Sequence, residues 1–146
     1  MFKSLLLTAA ILAVAATPAF AVDGECGSTP IGPAIPSASD EASKPVETAR
    51  ADVFAAYKQV KAFQAALKPY RECLMTQAKN DQIALADATD KNDKAKIDAA
   101  KQLLADRQKI YDGTIDAEQQ VATDFNNLHM AQCTRDTDPG VCPKKK

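Results

Sequence analysis

From Val46 to Leu74 the apolar residues return in alternating steps of three and four: Val46, Ala49, Val53, Ala56, Val60, Phe63, Leu67, Tyr70 and Leu74. A ladder kept over four heptads belongs to an α-helix with one narrow apolar seam, and that seam must lie against another helix. The pattern runs through Pro69, although an interior proline costs a helix about 3 kcal/mol. Its phase is the same on both sides, which favours a kinked continuous rod over a second helix opening at Pro69. Beyond Leu74 the ladder weakens, and Ala78, Ile83, Leu85 and Ala86 carry the helix to about residue 87. The start falls near residue 44, with Ser43 as N-cap, Pro45 in the first turn and Glu47 complementing the dipole.

Residues 88–93 are polar after Ala88 and end in turn and N-cap formers. A second helix follows over about 93–131, with apolar residues at Ile97, Ala100, Leu103, Leu104, Ile110, Tyr111, Ile115, Val121, Ala122, Phe125 and Leu128. Their spacing drifts from a strict heptad, which implies a wider buried stripe, and Gly113 is placed to bend or loosen it. The expected fold is all-α: a long antiparallel hairpin with helices about 44–87 and 93–131. Breaks at Pro69 and Gly113 would turn it into a three- or four-helix bundle. The chain has no Trp and 5 % aromatic residues, which suits thin helices better than a large core.

The chain opens with Lys3, a short apolar run over residues 5–16, and Pro18 ahead of Ala19-Phe20-Ala21. This is the pattern of an export signal over residues 1–21, cleaved after Ala21. The run is shorter than the roughly 20 residues a membrane span needs. Asp23-Gly24-Glu25 before Cys26 does not fit a lipid-attachment site. An exported protein without a stable membrane anchor is expected, with a bacterial periplasm as first choice. Without Lys3 the mature chain has 17 basic and 19 acidic residues. That near-neutral balance argues against a nucleic-acid partner, which normally calls for a basic stripe. Residues 22–42 hold Gly24, Gly27, Gly32, Pro30, Pro33 and Pro36 and read as an extended, partly polyproline-like segment. The helical domain then spans 43–132, and 133–146 forms a loop with a lysine tail.

Four cysteines in an exported chain imply two disulfides, with three connectivities open. With the turn near Asp90, Cys73 stands roughly 25 Å from the tip, and Cys133, if still near the axis, roughly 60 Å. Straight helices therefore exclude Cys73 with Cys133, since a bridge needs Cα atoms within about 7 Å. Cys133 and Cys142 flank the turn formers of residues 136–140, which leaves Cys26 for Cys73. A kinked or refolded rod would instead permit Cys26 with Cys133 or Cys142.

Cys26 followed by Pro30, Pro33 and Pro36, then Tyr70-Arg71-Glu72-Cys73-Leu74, then Phe125-Asn126-Asn127, resembles a group of small exported helical proteins of alphaproteobacteria. The likeness covers most of the mature chain and implies the Cys26–Cys73 pairing. It implies no activity. Cys133, Cys142 and Lys144-Lys145-Lys146 depart from that pattern.

Little in the chain suggests reaction chemistry. His129 is the one histidine, and with Met130 and Cys133 it offers nitrogen and sulfur ligands to copper or zinc. Against this, an oxidised Cys133 is no thiolate, and a histidine near a helix C-terminus is favourable through the dipole alone. No metal or cofactor is therefore expected, with His129 and Met130 as the alternative. The acidic group Asp87, Asp90, Asp93 and Asp98 fails as a calcium loop. Counted from Asp90, it has Ala95 at the sharp-turn position and Lys101 at the bidentate one. There is no C-x-x-C, H-E-x-x-H, G-x-S-x-G or phosphate-binding glycine loop. Arg107, Asp116 and Glu118 could be partly buried, but no spacing marks an acid–base pair. Three terminal lysines usually only solubilise. The sequence thus points to a non-enzymatic exported protein that binds another protein or itself. The alternative is a periplasmic copper or zinc carrier using His129.

Overall fold

A computed structural model describes residues 23–142, so the leader assigned to residues 1–21 and the three terminal lysines lie outside the described residues. Four helices follow in order: α1 (Asp23–Cys26), α2 (Ala38–Ala42), α3 (Val46–Asp90) and α4 (Lys94–Gln132). There is no strand among the described residues. At 1.5 Å per residue, α3 is a rod about 68 Å long and α4 about 58 Å. The two pack against each other as an all-α hairpin.

The α3 seam is built from the ladder read in the sequence. Ala49, Val53, Ala56, Val60, Phe63, Leu67, Tyr70 and Leu74 are all buried, and Val46 is half-buried. Beyond Leu74 the same phase continues through Asp81 and Ala88, both buried, while Ile83 stands 69 % exposed. The seam of α4 corrects the expected drift. Ala100, Arg107, Thr114, Val121 and Leu128 are buried at strict sevens. Ile97, Leu104, Tyr111, Glu118 and Phe125 form a half-buried companion row, which ends in buried Gln132. Taken together the two rows make an a/d ladder as regular as that of α3. Its polar members hid it from a count of apolar residues.

Neither Pro69 nor Gly113 breaks a helix. Pro69 leaves the carbonyl of Ala65 without its usual helical donor. Both residues lie on the exposed face, where water can supply the missing partner. The proline therefore weakens the rod without dividing it. Pro69→Ala should raise the free energy of unfolding by about 2 kcal/mol, within the ~3 kcal/mol a helix-interior proline costs. Urea unfolding followed by circular dichroism checks this; a lower midpoint would mean that the proline costs the helix nothing at this position.

The turn joining the helices is three residues long. The Asp93 amide donates to Ala88 O at 2.9 Å and the Asn92 amide to Thr89 O at 3.0 Å, closing α3 as a Schellman motif. Asn92 supplies the left-handed residue this closure requires, at φ 51°. Asp93 at once caps α4, accepting from the Lys96 amide at 3.2 Å. Turn, stop and start thus occupy Lys91 to Asp93, and the helices leave antiparallel.

The N-terminal segment is not wholly extended, because α1 and α2 lie within it. Gly27, at φ 79°, turns the chain away from α1. Residues 27–37 then run as a strap over the hairpin. Gly32 passes so close that a Cβ there would stand 2.8 Å from Val121 Cγ2. Ile35 packs on both apolar clusters, one of Val60, Phe63, Leu67 and Val121, the other of Val53, Ala56 and Leu128. Thr29 Oγ1 and the Tyr70 hydroxyl lie 2.8 Å apart. Ser43 does not cap α3. It closes α2, and α3 begins after Pro45, since the residue before a proline is driven out of helical conformation. Arg135 donates to the carbonyls of Glu41, Ala42 and Lys44, binding the end of α2 to the end of α4.

Candidate functional site

Two disulfides fasten the fold: Cys26 to Cys73, and Cys133 to Cys142. The first sets where the strap ends on α3, and it places Glu25 beside α4. From there to the turn, α3 and α4 alone build the seam among the described residues. This distal half of the hairpin opens into a cleft of about 460 Å³ lined by Leu74, Met75, Ala78, Gln82, Leu104, Arg107, Gln108 and Tyr111.

Arg107 anchors that cleft from within. Its side chain is only 4 % exposed, and its Nε donates to Asp81 on the facing helix. Nη2 donates to Glu25 at 2.6 Å, while Nη1 is buried without a partner. Burial works to lower the pKa of the guanidinium, but the hydrogen bonds to Asp81 and Glu25 outweigh it and leave the pKa above its ordinary value. The cleft is thus apolar along Leu74, Met75, Ala78 and Leu104, with the ion-paired Arg107 guanidinium in its lining. Met75 is 49 % exposed.

Seven residues further along α4, about two turns, Arg71 crosses the seam in the other direction. It donates to Thr114 Oγ1 and Thr114 O, both at 2.8 Å, and to Glu118 at 2.6 Å, with the Tyr111 ring 6.0 Å away. Gln64 also donates to Glu118 at 3.2 Å. Of the three side chains singled out as partly buried, Arg107 and Glu118 are therefore bound into cross-helix pairs, and Asp116 is exposed.

The opposite end of the hairpin holds the residues of the metal alternative. His129 Nε2 lies 2.7 Å from Val141 O and 3.6 Å from Cys133 Sγ. Met130 is 69 % exposed and does not join them. Beside them Asp136, its side chain 1 % exposed, accepts a bidentate pair from Arg50 at 2.7 and 2.8 Å. It also accepts from Gln132 and from the Asp138 amide. The Arg50 guanidinium, then the Asp138 amide, hold this carboxyl well below the usual carboxylate range. The acidic residues at the turn are solvated or paired locally, Asp87 with Lys91 and Asp93 with Lys96.

The structure therefore defines a disulfide-fastened helical hairpin, strapped over one half and open over the other. No protein-family model, curated protein or solved structure matches the chain. The residues missed in the sequence are Glu25, Asp81, Arg71 and Thr114. Asp81 and Thr114 stand at ladder positions, a signal that heptad phase alone could have revealed.

Proposed function

We propose that this chain is an exported, non-enzymatic helical adaptor of the bacterial periplasm, which binds a helical partner surface along the distal half of its hairpin. The bare distal seam carries this reading. A two-helix segment buries only one face, and segments of that size gain stability from a further covering layer. Over the proximal half the strap supplies that layer. Over the distal half the half-exposed Met75, with the partly exposed Ala78 and Leu104 beside it, offers the anchors of a helix-in-groove contact. The buried charges Arg107, Asp81 and Asp136 are held in cross-seam pairs, which supports a structural over a catalytic use. Two disulfides fit an oxidising, exported compartment, and no helix among the described residues is long and apolar enough to cross a membrane.

The partner surface in this reading is a second copy of the chain, giving a four-helix bundle over the two distal halves. Size-exclusion chromatography with light scattering, at micromolar concentrations, should return twice the mass of one chain. Met75→Glu should return a single chain with unchanged helicity, since Met75 is half exposed in the free protein. A compact monomer from the unmodified protein over that whole range overturns self-association. A dimer indifferent to Met75→Glu places its contact elsewhere and overturns the cleft.

A further inference from the structure

The end of the hairpin opposite the turn carries an arrangement that is independent of the distal cleft. His129 and Cys133 stand four residues apart on α4 and so share one face. The loop from 134 to 141 returns Cys142 to the same point. The imidazole nitrogen and the two sulfurs all lie within 4.8 Å of one another, the one group of three such side chains that close among the described residues. A tetrahedral Zn²⁺ with arms of about 2.3 Å to sulfur and about 2.0 Å to nitrogen keeps its ligand atoms roughly 3.5–3.8 Å apart. His129 Nε2 and Cys133 Sγ, at 3.6 Å, already stand at that spacing.

The two sulfurs do not, because they are bonded to each other. We propose that reduction of the Cys133–Cys142 disulfide converts this end of the hairpin into a Zn²⁺ site whose protein ligands are His129 Nε2 and both thiolates. A dithiol reductant supplies the two electrons and two protons that break the S–S bond, and itself leaves as a disulfide. Zn²⁺ then displaces the two thiol protons to solvent, because the thiolate is the ligand form. His129 gives up its hydrogen bond to Val141 O, and the ring proton passes through solvent to Nδ1. Once the bond is broken the sulfurs must part to reach that ligand spacing. Rotation of one cysteine side chain allows this.

The surroundings suit such a site. The His129 ring is stacked on Phe125, centroids 5.9 Å apart and planes 8° from parallel, and Phe125 rests on Tyr57 at 6.0 Å. These contacts hold the imidazole in place, as ligands of a metal centre are held by their neighbours. A cavity of about 270 Å³ adjoins it, lined by Phe54, Tyr57 and Val141 among others. That space leaves the fourth position open to water or to a small exogenous ligand. The disulfide thus acts as a gate: oxidised, it closes a loop; reduced, it exposes a three-ligand centre.

The test is zinc titration of the purified protein, against a chromophoric chelator, before and after treatment with a phosphine reductant that is then removed without air. One zinc ion per chain is expected after reduction and none before. Cys142→Ser should abolish the tight site, and His129→Ala should weaken it by at least ~10-fold, the scale on which even outer-shell partners matter. Co²⁺ in place of zinc should give the visible bands of a tetrahedral ion with thiolate charge transfer. Circular dichroism confirms that each variant is folded. No zinc bound by the reduced protein, equal binding by the oxidised protein, or tight binding that survives Cys142→Ser each overturns the proposal.

Discussion

Arg107→Ala lowers the free energy of unfolding by about 3–5 kcal/mol, the loss expected when one partner of a buried ion pair is removed. The reason lies in what is left behind. Asp81 sits on the ladder of α3, pointing into the seam, and Arg107 is its cross-helix partner. Without the guanidinium, a buried carboxylate is left in the seam without its cation and must be hydrated, protonated or expelled. For a chain of this size that loss moves Tm by roughly 10–20 °C. The double replacement Arg107→Leu with Asp81→Leu removes both charges and restores an apolar ladder. It should recover most of the loss or exceed the starting stability, because a well-packed apolar pair avoids the desolvation cost of an ion pair. Urea unfolding of the two single variants and the double one gives the coupling directly. A cost below about 1 kcal/mol for Arg107→Ala would show that the pair is effectively solvated and worth no more than a surface bridge.

The same pair explains where the sequence could be read and where it could not. In α3 every ladder position up to Leu74 is apolar, so periodicity alone located the helix, its seam and its need for a partner. In α4 the ladder is just as regular, but Arg107, Thr114, Glu118 and Gln132 occupy seam positions. Their burial depends on Asp81, Arg71 and Asp136, which arrive from elsewhere in the chain. Hydropathy has no access to such pairings. The hairpin itself was legible because the turn residues are chemically distinct and the heptad phase crosses Pro69 unchanged. Helix α2 was not, since five residues carry no period, and its boundary with α3 was misread when Ser43 outweighed the restriction that Pro45 puts on Lys44. As for the sites, hairpin length excluded Cys73 with Cys133 but left Cys26 with Cys133 or Cys142 open, and the unbroken α3 decides for Cys26 with Cys73. The cleft stayed hidden because it exists only where the strap stops. His129 and Cys133 were visible at their four-residue spacing, but bringing Cys142 to them took the loop.

Loss of the Cys26–Cys73 bridge should be the most damaging change at the proximal end. Its cysteines are 47 residues apart, and those of the second bridge only nine. By loop closure in the unfolded chain, the first contributes about 4 kcal/mol and the second about 3 kcal/mol. The paired replacement Cys26→Ser with Cys73→Ser should therefore lower the free energy of unfolding by about 4 kcal/mol, and Cys133→Ser with Cys142→Ser by less. The two also differ in kind. The start of the strap is held by Thr29 against Tyr70 and Glu25 against Arg107, whereas the C-terminal loop keeps the bidentate Arg50–Asp136 pair and the hydrogen bond from the Asp138 amide. Cutting the first bridge should thus release residues 25–31 to proteolysis while α3 and α4 stay folded, and should widen the bare seam by withdrawing Glu25 from Arg107. Limited proteolysis with mass spectrometry reads this as early cleavage ahead of Gly32, where close packing on Phe63 and Val121 resumes. Equal losses for the two double variants, or cleavage first in residues 134–141, would mean that the strap is held by its own packing and that the bridge does not set its register.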